Sequence, residues 1–156
     1  MKLRRVWKGI LWFPVVLLVL VILFEVAGMA VNHVASSQQT KQAIERLKTE
    51  LSAEIVDRYT ETGNTSGTGN HVDMLSVVVF RTGSSAEEIR QALRAYESLD
   101  EWSFWVKSLE EVETLRSKFP AVYPFLEEMD IPEDLEHSWL LYLNTSAPFP
   151  DNIEGH

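Results

Sequence analysis

Residues 10–24 read ILWFPVVLLVLVILF, a run with no charge and only the Trp12 indole able to hydrogen-bond. Carried past Glu25 through Val26, Ala27, Gly28, Met29, Ala30 and Val31, it reaches about 22 residues. At about 1.5 Å of rise per residue that is roughly 33 Å of helix, enough to cross a bilayer core. Backbone amides in lipid must pair within the segment, so such a run is helical there. Pro14 falls in its first turns, where a missing amide costs least. After residue 35 the pattern becomes one-sided. Ile44, Leu47, Leu51, Ile55 and Tyr59 repeat every three or four residues, opposite Lys41, Glu45, Lys48 and Glu50. With Ser36 and Gln39 as a capping box, this predicts a helix over residues 36–60.

The next elements are shorter. Residues 61–71 are rich in Gly, Asn, Ser and Thr and predict a flexible loop. It resembles a phosphate-binding loop only superficially, because no lysine follows its last glycine. Residues 72–81, VDMLSVVVFR, are β-branched and apolar on both faces, as in a central strand. Ser84 and Ser85 ahead of Glu87 and Glu88 open a helix to about residue 98. It buries Ile89, Ala92, Leu93, Tyr96 and Leu99. Residues 101–107, EWSFWVK, alternate as a strand, and Ser108 with Glu111 starts a helix that Pro120 ends. A short helix from Pro124 and a strand over residues 138–144, SWLLYLN, complete the pattern. The fold class is α+β: a transmembrane helix, then a small sheet of about three strands with helices on one side and a small helical lobe. The helix after residue 85 allows its two flanking strands to be parallel neighbours.

Charge sets the orientation. Lys2, Arg4, Arg5 and Lys8 precede the apolar run without an acid among them, and that end stays in the cytoplasm by the positive-inside tendency. Trp7 and Trp12 fit an interfacial aromatic belt on the same side. The competing readings are a cleaved signal peptide, with a small-residue cut near residues 28–30, and a buried core helix. The apolar run on all faces and its one-sided basic flank favour a single-pass membrane protein. Glu25 fits the outer interface, since a carboxylate inside lipid costs about 2.5–3.5 kcal/mol. Beyond residue 35 there are ten Lys/Arg against 22 Asp/Glu, a balance of −12, which disfavours nucleic acid. With no cysteine, the outer part has neither a disulfide frame nor thiol chemistry. That usage is commoner in bacterial envelope proteins than in animal ectodomains. Asn64-Thr65-Ser66 and Asn144-Thr145-Ser146 match the glycosylation pattern, which arises often by chance.

Catalytic chemistry is not predicted. His33, His71, His137 and His156 are scattered. Glu133 and His137 stand four apart without a third metal ligand. The carboxylates of Glu110, Glu111 and Glu113, and of Glu127 and Glu128, read as solvated helix faces, and no serine lies in a nucleophile elbow. The expectation is a non-enzyme without metal or cofactor.

Residues 75–80 (LSVVVF), 85–89 (SAEEI) and 105–112 (WVKSLEEV), with Ile131-Pro132 and Ser138-Trp139-Leu140, look like the large extracellular domain of the FtsX family. These are membrane subunits of a bacterial cell-division complex with an ATPase partner. The resemblance covers roughly residues 72–144, and the family's domain also follows a first transmembrane helix with a cytoplasmic N terminus. The turn after Pro132 is longer here, the helix and loop of residues 38–70 are additions, and the family's later transmembrane helices do not occur within the chain. In the family the helical lobe exposes apolar side chains that grip a peptidoglycan hydrolase or its activator.

The resemblance thus implies a partner-binding patch at Phe119, Val122, Tyr123, Phe125, Leu126 and Met129. The residues agree independently: a short, proline-broken segment carries more rings and thioether than it can bury by itself. The rival reading is structural, with self-association of a stalk through Ile44, Leu47, Leu51 and Ile55 and the domain as a spacer. The expected organisation is a cytoplasmic tail (1–8), a transmembrane segment (9–31), a stalk helix (36–60), a loop (61–71), an extracytoplasmic α+β domain (72–145) and a loose tail (146–156).

Overall fold

The computed structural model describes residues 2–67, 69–118, 124–133 and 135–156, with side chains from residue 12 onward. The first element, α1, is one helix from Lys2 to Leu51, 50 residues long. At about 1.5 Å per residue it spans roughly 75 Å. It is the one helix among the described residues long and apolar enough to cross a membrane. Residues 12–24 are exposed at every position. From Gly28 onward one face is buried at Gly28, Asn32, Ser36, Thr40, Ala43, Ile44, Leu47 and Leu51. That spacing of three and four keeps a single helical face against the rest of the chain.

The predicted break near residue 36 does not occur. Ala, Gln, Lys, Glu, Arg and Leu fill the stretch and propagate a helix already formed. Ser36 and Gln39 contact the sheet instead of capping: Gln39 donates to the Met74 carbonyl at 2.9 Å and to Ser76 at 3.0 Å. The predicted extension to residue 60 also fails. Ser52 takes a left-handed φ of 49°, and the Ala53 amide closes back on the Leu47 carbonyl at 3.2 Å. The Thr82 hydroxyl donates to the Leu51 carbonyl at 3.0 Å, satisfying an orphan acceptor at the helix end.

A four-stranded sheet follows, with β1 at Glu54–Gly63, β2 at Asp73–Arg81, β3 at Phe104–Ser108 and β4 at Ser138–Ser146. Its order is β1-β2-β4-β3, and every pairing is antiparallel. The α+β class holds, with four strands in place of about three. The added strand, β1, takes residues assigned above to the stalk and to the start of the loop. Its Ile, Val, Tyr and Thr content suits a pleated surface better than a helix interior. β2 and β3 run parallel but are not neighbours, because β4 lies between them. β3 starts at Phe104 rather than 101: the Asp100 carboxylate accepts the Trp102 and Ser103 amides, both at 2.9 Å, and holds a turn there.

Helices cover both faces of the sheet, not one. Val78, Phe80 and Leu141 face α1 and the helix α2, Ala86–Ala92, in a core with Ile44, Leu47, Leu51, Ile89 and Leu93. Leu75, Val77, Val79 and Leu140 face the helix α3, Leu109–Lys118, and a 3₁₀ turn at Pro124–Glu127. Of the two capping registers ahead of α2, Ser85 with Glu88 forms. The Ser85 amide donates to Glu88 at 2.7 Å and the Glu88 amide to Ser85 Oγ at 3.3 Å. The Ser85 backbone bond, then its hydroxyl, holds the Glu88 carboxyl below the ordinary carboxylate range.

A left-handed φ at a residue with a Cβ is strained, so Ser52→Gly is expected to stabilise the chain. The net gain is about 0.5–1 kcal/mol once the larger unfolded-state entropy of glycine is subtracted. Thermal unfolding in detergent should show the midpoint rising by about 2–6 °C.

Candidate functional site

The segment predicted to bind a partner is split by the structure. Phe125, Leu126 and Met129 are 6%, 2% and 8% exposed and belong to the core against Leu75, Val77, Val79 and Leu140. They are not an open apolar patch, because β2 and β4 present a second apolar face that needs cover. Phe119, Val122 and Tyr123 lie outside the described residues. The self-association seam is corrected in the same way. Ile44, Leu47 and Leu51 fill the core under Val78 and Phe80, and Ile55 packs on it from β1. Glu133 and His137 join no metal-competent group of three or more His, Asp or Glu among the described residues.

The buried segment does bound a recess. A row of rings crosses this face of the sheet: Tyr59 on β1 lies 6.3 Å from Phe125, Phe125 5.9 Å from Tyr142 on β4, and Tyr142 stacks on Trp105 of β3 at 4.9 Å. Alternation along each strand puts these residues on one face. At one end, Tyr59, Glu61, Thr65, Leu75, Pro124, Phe125, Glu128 and Tyr142 line a cavity of about 290 Å³. The Asp130 amide donates to the Asp57 carboxylate at 2.8 Å and ties the covering segment to β1. The Tyr59 hydroxyl donates to Glu61 at 2.9 Å. Burial, then that bond and the charges of Glu61 and Glu128, push the Tyr59 pKa up to about 12. Carboxylates beside aromatic faces make a place for a cation.

A second arrangement lies where the bare part of α1 meets the domain. The C-terminal residues, predicted as a loose tail, are docked on the helix. Asn32 donates to the Phe149 carbonyl at 3.0 Å and accepts the Phe149 amide at 2.9 Å, so one side chain satisfies both backbone groups. The Asn152 side chain donates to the Glu25 carbonyl at 3.1 Å, and the Ile153 amide donates to the Glu25 carboxylate at 3.1 Å. His33 and Glu154 meet at 2.7 Å, and Phe24 and Phe149 pack edge to face at 5.9 Å. The carboxylate of Glu25 thereby acquires a partner that its place in an apolar run did not suggest.

Two glycines permit this approach. A Cβ on Gly28 would lie 3.0 Å from Asn152 Nδ2, and one on Gly155 would lie 2.9 Å from the His71 backbone. The readable signal is Gly28, Asn32, Ser36 and Thr40 at strict four-residue spacing. It escapes a search for hydrophobic periodicity because none of the four is a large apolar residue. Above this junction the same stripe bonds to the sheet: Thr40 lies 2.9 Å from Thr60 and 2.8 Å from Ser76, and Thr145 donates to Gln39.

Comparison with protein-family models, curated proteins and solved structures finds no match.

Gly155→Ala and Gly28→Leu are each expected to loosen the docked segment at a cost of about 1–3 kcal/mol, the usual range for overpacking. Hydrogen exchange should show the Phe149 and Ile153 amides losing tenfold or more of their protection. Gly83→Ala should leave them unchanged, since a Cβ there meets nothing within 4 Å.

Ultraviolet titration should place the Tyr59 phenolate near pH 12, as the difference between the parent and Tyr59→Phe. The neutral form is favoured in the fold, so between the ordinary tyrosine pKa of about 10 and the raised one the unfolded chain releases its proton first. Stability therefore falls as pH rises through that window, and falls less in Tyr59→Phe.

Proposed function

We propose that this protein is a single-pass membrane protein, N terminus in the cytoplasm, whose outer α+β domain holds a protein partner at the cell envelope without catalysing a reaction. The observation that carries this reading is the continuity of α1. Its residues 12–24 are bare and apolar, while the same helix is packed into the domain core from Ala43 to Leu51. Left in water, the bare stretch would expose apolar surface at about 25 cal/mol per Å², and a bilayer supplies the cover it needs. The basic flank at Lys2, Arg4, Arg5 and Lys8 supports a cytoplasmic N terminus.

The recess beside Tyr59, Phe125 and Tyr142, rimmed by Glu61 and Glu128, is the surface best suited to capture. Its carboxylates and rings suit a Lys or Arg side chain of the partner, and the −12 balance of the outer part favours encounter with basic proteins. The resemblance to the FtsX extracellular domain makes a peptidoglycan hydrolase, its activator or a division component the partner class. Oligomerisation through the 36–60 stretch loses its support, because its apolar face is spent on the domain itself.

The test is a photo-crosslinking residue at Glu128, with Gln91 on the opposite face as control, in cells expressing the full chain. The expected product is one adduct with a basic envelope protein, present at Glu128 and absent at Gln91. An adduct of twice the chain's own mass would replace capture by self-association. Equal labelling at both positions, or none at Glu128, would remove the recess as the binding surface.

A further inference from the structure

We propose that the C-terminal segment, residues 147–155, is a lipid-contacting seat: docked on α1, it sets Phe149, Ile153 and the prolines beside them into the outer interfacial layer of the bilayer. This rests on the membrane reading of α1 above. A hydrocarbon core of about 30 Å takes about 20 helical residues. Counted from Ile10, just past the last cation at Lys8, it ends near Met29. The segment touches α1 on both sides of that level, at Phe24, Glu25, Gly28 and Asn32. The Ile153 amide is bonded to the carboxylate of a residue four positions, or about 6 Å of helix rise, below Met29. A segment held there meets lipid.

Its chemistry fits a layer poor in water. Phe149 is 36% and Ile153 61% exposed, and a single exposed isoleucine is unremarkable on a surface that faces water. Here several backbone groups are also paired within the protein. Pro148 and Pro150 have no N–H, Asn32 satisfies both backbone groups of Phe149, and Glu25 takes the Ile153 amide. Within the terminal turn, Glu154 donates to the Asn152 side chain at 2.8 Å and Gly155 to the Asn152 carbonyl at 3.0 Å. The Pro150 carbonyl accepts from Val72 at 2.7 Å. These paired groups do not depend on water, which favours a place for this non-helical chain in the interfacial layer, where headgroups and water remain within reach of the others. Attraction to anionic headgroups contributes nothing, because Glu25, Asp151 and Glu154 make this region acidic. The contact is apolar, with Phe149 and Ile153 as its two side-chain anchors.

The chain has no cysteine, so single spin labels can be placed without further changes. The full chain carrying Ile153→Cys, Pro148→Cys, Leu18→Cys or Gln91→Cys is reconstituted in vesicles of phosphatidylethanolamine with a minority of phosphatidylglycerol. Collision with oxygen, which partitions into lipid, is compared with collision with a water-soluble nickel chelate. The labels at 153 and 148 are expected to show an oxygen-to-nickel ratio several-fold above that at 91, and below that at 18. If the label at 18 reports lipid while 153 and 148 match 91, the seat is overturned and the membrane reading stands. If 18 itself is open to nickel, both fall. In a Gly28→Leu background the 153 label should return to water with 18 unchanged; protection that survives this change overturns docking on α1 as its cause.

Discussion

A helix has one rotational phase along its whole length, and α1 spends that phase twice. Its bare stretch, residues 12–24, asks only for an apolar surround on every side. Its later stretch must present one face, from Gly28 to Leu51, to the tail, the sheet and α2. Because no break separates the two, turning the helix turns the domain. The early part of the buried face is Gly, Asn, Ser and Thr rather than Leu or Ile. Small and hydroxyl-bearing residues let the tail and sheet approach closely, and their polar groups find partners there: Asn32 at Phe149, Thr40 at Thr60 and Ser76. Buried polar groups so paired are tolerated and specify geometry. Large apolar residues at the same positions would extend the apolar run toward Leu51, and the end of the stretch able to cross a membrane would lose its definition.

Much of the sheet could be read from the chain. The β-branched run of β2, the serine and acid start of α2, the alternation in β3 and the apolar face of β4 each follow a local rule that tertiary packing reinforces. β1 could not be read so simply. Ile55 and Tyr59 continue a four-residue spacing from Leu47 and Leu51, yet they lie on a strand, and a register shift between Ile55 and Asp57 sends Ile55 to the α1 side and Tyr59 to the α3 side. What decides between helix and strand is Ser52 in the left-handed region, with Thr82 bonded to the Leu51 carbonyl. Neither is visible without the neighbour that supplies the second group. The capping pair at Ser36 and Gln39 misleads for the same reason, since Ser36 is drawn off to the Glu61 carbonyl on β1 and Gln39 to β2.

The candidate sites show a sharper limit. The apolar character of both faces of β2 already requires cover on both, so helices on one side alone would leave Leu75, Val77 and Val79 bare. Taken to its end, that constraint assigns Phe125, Leu126 and Met129 to the core rather than to a partner. What remains at the surface is the edge of the same cluster, where Tyr59 and Tyr142 keep part of their rings outside and two carboxylates stand beside them. A hydrophobic count locates the cluster. Which side of each ring stays uncovered depends on strand register, and register is a long-range property.

The tail carries this argument to its last step. Its composition, with prolines, Asn and Gly, describes a segment with little to fold around by itself. Order comes from what it meets: a glycine that opens a groove, an asparagine that satisfies both groups of one peptide-bearing residue, and a carboxylate placed for one more amide. β4 delivers the tail beside Val72, where the Ala147 amide bonds to the Val72 carbonyl at 3.0 Å. The chain thus closes on itself just where α1 enters the domain. A force applied to the sheet is resisted both by the helix stripe and by this closure, so the domain is held at one tilt and height above residue 25. Such a construction suits a protein that positions a partner better than one that works by swinging on a hinge, because a hinge here would have to break both sets of contacts together.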